Sequence, residues 1–200
     1  MDLLDQYKKA WENQPENEQK VSKTDIYRMT KLRSSSIIKW IFLIGIMEFS
    51  LLTSSYFFMD YDYINQQYKE LGLENFYILF QVAAYVVIIY FLRKFYLNYK
   101  NISVTDNTKG LMNQILKTRR TVKNYVLVNL ILAAIVMIVL FVKSFYTKIE
   151  ELTFSKSITI IGIYIIVIIF ILFLFWLVYQ LLYGILLKKL NKNYRNLSDN

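Results

Sequence analysis

Four long apolar blocks alternate with polar stretches along the chain, and the polar stretches hold most of the charge. The blocks cover residues 37–58, 76–92, 125–142 and 158–180. Each block is close to the roughly 20 residues that a helix needs to span about 30 Å of hydrocarbon. The pattern therefore predicts an all-α membrane protein in which four transmembrane helices form an antiparallel bundle.

Residues 1–36 form a charged segment that precedes the first span. Within residues 1–12, apolar side chains recur at steps of three and four and predict a short amphipathic helix. The apolar face of this helix consists of Leu3, Leu4, Tyr7 and Trp11. The polar sequence around Pro15 then predicts a linker. The apolar face is a candidate binding surface for a cytoplasmic protein.

A second helix is predicted to begin at Ser22 or Thr24, because Ser22 followed by Asp25 resembles a capping box. Ile26 and Met29 belong to a thin apolar stripe on this helix, beside basic residues. A helix of this composition can lie on anionic lipid next to the first span. It can also dock to a cytoplasmic protein through the stripe, and both interpretations stay open at this stage.

The loop between the second and third spans is the most basic part of the chain. Residues 93–123 hold eight Lys or Arg residues and one acid, Asp106. Asp106 is a candidate N-cap, and apolar residues at helical spacing follow it. We therefore expect a helix over residues 106–123 that continues without a break into the third span.

The fourth apolar block continues to Leu187, which makes it longer than the hydrocarbon layer is thick. A helix over residues 158–187 measures about 45 Å at about 1.5 Å per residue. Trp176 marks its expected interface, as in an aromatic belt. The last turns should therefore project past the bilayer and pack beside the 106–123 helix, and residues 188–200 should form a basic tail.

The distribution of basic residues predicts the topology. Seven Lys or Arg residues precede the predicted first-span region, eight lie in residues 93–123 and four follow Leu187, whereas the two remaining loops hold one and three. Positive residues are retained on the cytoplasmic side of a membrane. Both termini are therefore expected to be cytoplasmic.

One ionisable residue, Glu48, lies deep in a predicted span. Such a group is costly in hydrocarbon and usually faces protein or water. Counting residues from the ends of the spans places Tyr85 at the same depth, where its hydroxyl could donate a hydrogen bond to the carboxyl group. Small residues such as Gly45 and Ala84 near this level would let helices approach closely. A structural, neutral glutamate and a proton, cation or ligand site both agree with this pattern.

Composition excludes several kinds of chemistry. The chain has no cysteine and no histidine, so it lacks thiolates and the commonest general base and metal ligand. It has neither a phosphate-binding glycine loop nor a paired acid motif. These features favour a non-enzymatic protein without a cofactor or a metal. Few aromatic residues accompany the basic ones in 93–123, so membrane orientation explains this charge better than direct nucleic-acid binding does.

Three stretches of the chain resemble small four-span membrane proteins of Bacteroidota-type bacteria. They are LLDQYKKAWENQP, then DIYRM followed by SSSIIKWIFLIGIMEF, and TDNTKGLMNQILKTRRTVKNYV. Proteins of this kind often carry an automatic label as beta-carotene monooxygenases, although the absence of histidine here disfavours a histidine-iron oxygenase. Their genes are often thought to lie beside sigma-factor genes. The resemblance implies a regulator in the bacterial inner membrane, with an anti-sigma-like role and the N-terminal segment as its binding arm.

The leading hypothesis from the sequence is a regulator or scaffold that is anchored in the lipid bilayer and presents residues 1–36 to a cytoplasmic protein partner. The alternative is a carrier for an ion or small molecule, or a protein that binds a lipophilic ligand such as a carotenoid, a quinone or a lipid, with Glu48 in the site. Gly162 in the fourth span could support a homo-oligomer.

Overall fold

The computed structural model describes residues 22–105, 107–147 and 153–198, and every regular element within them is helical. The elements are α1 (Lys23–Phe58), α2 (Tyr61–Glu70), α3 (Glu74–Ser103), α4 (Thr108–Tyr146), α5 (Phe154–Tyr179), a π-helical segment (Gln180–Gly184) and α6 (Ile185–Ser198). The last three follow one another without a break and form one long helix. The all-α class is therefore confirmed. The predicted helix with Leu3, Tyr7 and Trp11 lies outside the described residues.

Four of these helical stretches are long and apolar enough to cross a membrane. They are α1, α3, α4 and the continuous helix over residues 154–198. This confirms the four membrane-spanning helices that the apolar blocks predicted and makes the chain a multi-pass membrane protein. The helices are longer than the predicted spans, since α3 continues to Ser103 and includes the basic residues Arg93 and Lys94.

Side-chain caps set the start of two of the long helices. Ser22 is the N-cap of α1, as predicted, and its hydroxyl accepts from the backbone N–H of Thr24 at 3.4 Å. Asn107 is the N-cap of α4, and its side-chain oxygen accepts from the backbone N–H of Gly110 at 2.6 Å. The choice of Asp106 as the cap was therefore wrong by one residue, because the first turn begins one residue later; Asp106 lies outside the described residues. The unbroken course of α4 into the third span is confirmed.

The loop after the first span contains α2, a helix that the apolar pattern did not predict. Asp60 caps its start by accepting from the backbone N–H of Tyr63 at 3.1 Å. At its end, Gly72 adopts a φ of 65°, and the N–H of Leu73 donates to the carbonyl of Tyr68 at 2.8 Å. A glycine takes this left-handed conformation at little cost and so closes the helix.

The antiparallel helices place the polar segments at two ends of the bundle. The basic end consists of the start of α1, the end of α3, the start of α4, and α6. It is held together by long-range bonds, since the Tyr27 hydroxyl donates to the carbonyl of Thr105 at 2.6 Å and the Asn193 amide donates to the Ser34 hydroxyl at 3.0 Å. The opposite end, called here the α2 end, consists of α2 and the adjoining ends of α1, α3, α4 and α5.

Most buried apolar residues lie in the half of the bundle that includes the basic end. They form two clusters, of which one contains Ile38, Ile102, Leu111, Ile115, Leu190 and Leu197 and the other contains Ile41, Phe91, Phe95, Val122, Tyr125 and Tyr183. The first cluster confirms that the last turns of the long C-terminal helix pack beside the start of α4. Residues 188–198 are thus a packed helix instead of the predicted tail, because α6 is amphipathic and buries Leu190, Asn193 and Leu197.

Candidate functional site around Glu48

Glu48 lies on the face of α1 that packs against the other helices. Ile41 and Gly45 precede it on this face, and both are buried. A Cβ atom at Gly45 would meet the Leu92 Cδ2 atom at 3.0 Å and the Phe95 Cδ2 atom at 3.3 Å. The absence of a side chain at Gly45 therefore lets α3 come close to α1 one turn before Glu48, as the small-residue argument predicted.

A hydrogen bond joins Glu48 to a tyrosine of α4. The Tyr125 hydroxyl donates to the Oε2 atom of Glu48. The Oε1 atom of Glu48 is buried and has no hydrogen-bond partner among the described residues. The Tyr183 hydroxyl is also buried and lies close enough to this carboxyl group to interact with it, although neither Glu48 nor another described residue meets the geometry of a hydrogen bond to it. The site thus consists of one carboxyl group with a bound phenol on one side and a second phenol beside it.

Aromatic rings surround Tyr125 and fix its position. Its ring contacts Phe91, Phe95, Tyr179 and Tyr183 edge to face, with centroid distances of 5.2, 5.4, 6.0 and 5.9 Å. Edge-to-face pairs contribute about 0.5–1.5 kcal/mol each beyond the burial of their area. The ring of Tyr125 therefore has little freedom, and its hydroxyl is held against Glu48 by packing from three other helical segments.

The donor to Glu48 is Tyr125, not the Tyr85 that the depth count suggested. The ring of Tyr85, on α3, contacts the ring of Phe49 edge to face, with centroids 6.2 Å apart. Tyr85 therefore packs against the residue that follows Glu48 on α1. The count treated Tyr125 as the first residue of the third span, at the interface. Both helices extend well beyond the apolar blocks, since α4 begins at Thr108 and α1 at Lys23. The ends of the blocks therefore do not give the depth of each residue. The hydrogen bond shows that Tyr125 lies level with Glu48.

The π-helical segment supplies Tyr183, and the sequence analysis missed it. Segments of this kind are rare and frequently occur at functional sites. A Cβ atom at Gly184 would lie 2.8 Å from both the Cδ and the Nε2 atoms of Gln180. Gly184 therefore gives the Gln180 side chain room to fold against the helix. An isolated glycine in an apolar helical run was the one sequence signal for this irregularity.

The Glu48 site can hold a proton or bind one further polar group. Its carboxyl group has one phenol donor, and the Oε1 atom and the Tyr183 hydroxyl, which lie beside each other, provide an acceptor and a donor. No group of three or more Asp, Glu, His or Cys side chains suited to a metal ion occurs in the part of the chain that the structure describes. The arrangement is therefore suited to proton or small-ligand binding.

A separate surface at the start of α1 contains the predicted partner-binding residues that can be located. Met29 and Leu32 are 48% and 64% exposed, and Ile26 is half-buried. The inward face of the same turns carries Thr30 and Ser34, which are buried. The apolar stripe thus points outward while small polar residues face the bundle, so Met29 is placed for contact with a partner or lipid and Ile26 only partly so.

The sequence profile of a family described as a domain of unknown function (DUF8845) matches residues 24–200. Neither a curated protein nor a solved structure matches the chain.

Proposed function

We propose that this chain, which belongs to the DUF8845 family, is a non-enzymatic regulator or scaffold that binds a cytoplasmic protein partner from the membrane. The observation that carries this proposal is the outward-facing apolar surface formed by Met29 and Leu32 at the start of α1. Basic residues surround it, namely Arg28, Lys31 and Arg33. An apolar surface with a charged rim is typical of a protein-binding site.

The continuity of this surface with the membrane-spanning part of α1 supports the proposal. Residues 1–21, called here the arm, precede α1 in the sequence, and α1 is a single helix from Lys23 to Phe58. A partner that binds the arm and the Met29–Leu32 surface would therefore be coupled to a helix that continues through the membrane-spanning region. A break in α1 after Leu32, in contrast, would uncouple a bound partner from the span.

Buried polar contacts make the basic end a rigid support for this surface. Asn193 donates to Ser34 at 3.0 Å, and Asn98 donates to Thr121 at 3.2 Å, so each pair joins two helices. A buried polar group that loses its partner costs about 1–3 kcal/mol, so arrangements that separate these pairs are disfavoured. The start of α1 is thereby held in one orientation against α6.

Charge supports the orientation that the proposal needs. The basic end carries most of the Lys and Arg residues, and such ends are retained in the cytoplasm. Both termini, the arm and the Met29–Leu32 surface would then lie on the cytoplasmic face of a bacterial inner membrane. An anti-sigma-like role, which the sequence resemblance implies, requires this placement.

Cross-linking in intact cells tests the proposal with two double variants of the full chain. One is Leu3→Ala/Trp11→Ala in the arm, and the other is Met29→Ala/Leu32→Ala on α1. Both should lose at least one cross-linked cytoplasmic protein that the wild type retains, because each removes apolar contact area from one proposed surface. Leu97→Ala is the matched control, since Leu97 is an exposed leucine of α3. If both double variants recover the same proteins as the wild type, the docking role is wrong.

A second candidate function uses Glu48. The buried, unpartnered Oε1 atom of Glu48 and the Tyr183 hydroxyl favour a carrier for a proton, an ion or a small molecule, or a site for a lipophilic ligand such as a carotenoid, a quinone or a lipid. Proton flux into proteoliposomes should then be present for the wild type and lost in Glu48→Gln. Flux that is absent, or equal in the two proteins, removes the carrier.

A further inference from the structure

A cavity lies at the α2 end of the bundle, beneath α2 and between α1, α3 and α4. Its volume is about 240 Å³. It adjoins a wider surface depression of about 870 Å³. Tyr61, Tyr68, Tyr77 and Gln81 line both spaces, so they form the neck that connects the inner cavity to the surface. The inner cavity is therefore reached from the end of the bundle.

The inner cavity has an apolar floor and a polar neck. The floor consists of Leu52, Phe80, Ala84, Ile88 and Val136. Its polar groups are the tyrosine hydroxyls, Ser55 and the amide of Gln81, and none of the residues that line it carries a formal charge. Binding sites for small molecules combine such apolar walls with a few polar groups that fix orientation. The lining thus fits a neutral ligand with one polar end.

Two rings form a flat wall at the neck. The centroids of Tyr68 and Tyr77 are 4.5 Å apart, and the ring planes differ by 31°. Burial, with a smaller effect from Tyr77, raises the pKa of Tyr68 above its usual value. A phenol is neutral at physiological pH, so Tyr68 can donate a hydrogen bond there. Its backbone is fixed by the turn at Gly72, where its carbonyl accepts from Leu73 at 2.8 Å.

We propose that this cavity binds a small, neutral, planar lipophilic molecule that carries one polar group. The rings of the molecule lie over the apolar floor near Ala84, and its polar group bonds with Gln81 or a tyrosine hydroxyl at the neck. The volume corresponds to about eight water molecules of roughly 30 Å³ each, which accommodates one or two fused rings. Glu48 does not line the cavity, so this site is independent of both functions proposed above.

The location of the neck favours such a molecule over an acyl chain. An acyl chain reaches a protein cavity from the hydrocarbon, through an apolar side opening. The depression outside this neck instead includes polar and charged residues: Asn65, Gln66, Lys69 and Glu74. Water can bond with the hydroxyls and the amide at the neck, but it leaves the apolar floor without a partner. A molecule with an apolar ring and a polar end satisfies both parts of the lining.

Binding of 1-naphthol, which has two fused rings and one hydroxyl, tests the site. The full chain is reconstituted in phosphatidylcholine nanodiscs, and binding is measured by equilibrium dialysis against empty nanodiscs. The wild type should bind one equivalent saturably. Ala84→Leu, which fills the floor from α3, should weaken binding at least tenfold. Gln81→Leu should weaken it about fivefold, the equivalent of one hydrogen bond. Val82→Leu, on the exposed face of α3, is the matched control and should bind like the wild type.

Several results would overturn the proposal. They are binding by Ala84→Leu equal to that of the wild type, uptake no greater than that of empty nanodiscs, and tighter binding of 1-octanol, which would identify an acyl-chain site. Thermal unfolding shows whether each variant is folded. If Ala84→Leu is not, Gln81→Leu and Tyr77→Phe decide the question, because both preserve side-chain volume closely. None of these substitutions touches the arm or Glu48, so cross-linking and proton flux should stay as in the wild type.

Discussion

The two halves of the bundle are packed differently. In the basic half, buried side chains of α1, α3, α4 and α6 form two clusters. In the half toward the α2 end, helix α5 has no buried residue, and a cavity lies between α1, α3 and α4. Apolar side chains within a bilayer gain little by leaving lipid for protein, so association there depends on close packing and hydrogen bonds. Beyond the apolar blocks, where Ile102, Leu111 and Leu190 lie, burial from water stabilises helix contacts directly. The cluster around Tyr125 lies nearer the spans and depends on close aromatic packing. The basic half therefore contributes most of the packing that stabilises the fold, and the α2 half packs less closely.

The buried polar residues follow the same division. Thr30, Ser34, Asn98, Thr118, Thr121 and Asn193 are all buried, and each belongs to the basic half. Two hydrogen bonds among them, from Asn98 to Thr121 and from Asn193 to Ser34, join different helices and restrict those helices to one register. Glu48 and Tyr125 lie where the two halves meet, so a change in the protonation or occupancy of this site would act on the junction between a rigid region and a looser one.

The largest loss of stability is expected from a substitution at the centre of the basic half. Phe95 is buried between Gly45, Phe91 and Tyr125, and Phe95→Ala should lower the free energy of unfolding by about 3 kcal/mol or more, because a large cavity remains. Unfolding by SDS in mixed micelles measures the change. Phe170→Ala on α5, whose ring is exposed, should cost less than about 0.5 kcal/mol. Equal costs at the two positions would show that the halves do not differ.

A second substitution tests the close approach of α1 and α3. Gly45→Val adds atoms where a Cβ alone would meet Leu92 at 3.0 Å, and overpacking of this kind costs about 2 kcal/mol. Gly162→Val is the matched control on α5, where nothing lies within 4 Å of a Cβ atom. The same SDS titration should find Gly162→Val as stable as the wild type. Comparable destabilisation by both would indicate that Gly162 is covered, as in the homo-oligomer that the sequence suggested.

A smaller loss of stability is expected when one buried polar pair is broken. Ser34→Ala removes the acceptor for the Asn193 amide and should lower the free energy of unfolding by about 1 kcal/mol. The double variant Ser34→Ala/Asn193→Leu should recover part of this loss, because no buried amide remains unpaired. Ser54→Ala, which removes only a bond to the Leu51 carbonyl toward the α2 end, serves as the control. Full additivity of the two single changes would contradict a coupled pair.

The smallest effect is a pH dependence at the α2 end. Burial raises the pKa of Tyr68 from 10.0, so the folded protein holds this proton at pH values where the unfolded chain has released it. The stabilising contribution is therefore complete below about pH 10 and is lost as the pH rises through the folded-state pKa. Between about pH 9 and 11, the thermal midpoint of the wild type should fall more than that of Tyr68→Phe. Parallel curves would show that Tyr68 titrates normally.

The sequence predicted the spanning helices well because the length of an apolar run is a property of the chain alone. It also predicted that α4 is continuous and that the C-terminal turns pack beside it, since apolar residues at helical spacing continue through both segments. Helix α2 was not predicted, because its capping residues, Asp60 and Gly72, lie in a short acidic loop without a clear apolar face. Caps and glycine turns are local signals that carry little weight without tertiary context.

The partner of Glu48 could not be predicted from the sequence. Finding it requires the depth and the rotation of each helix, and the basic ends of these helices extend far beyond the apolar runs that were used to count depth. Tyr125, the first residue of the third apolar block, was for this reason placed at the interface, and Tyr85 was paired with Glu48. The α2-end cavity is harder still, because it arises from a gap between Leu52, Ala84 and Val136, which belong to three different helices.

The π-helical segment at Gln180–Gly184 has the effect of a one-residue insertion. Each residue of an α-helix turns the chain by about 100°, so one additional residue in a regular helix would rotate everything that follows by about a quarter-turn. The wider π turn takes up this rotation. The buried stripe of α6, formed by Leu190, Asn193 and Leu197, therefore faces α1 and α4, whereas the same residues wound as a regular α-helix would turn it aside. Deletion of Leu181, an exposed residue of the segment, should give a regular helix that keeps the direction of the stripe. The wide turn thus keeps the lipid-facing and basic parts of a single helix in register.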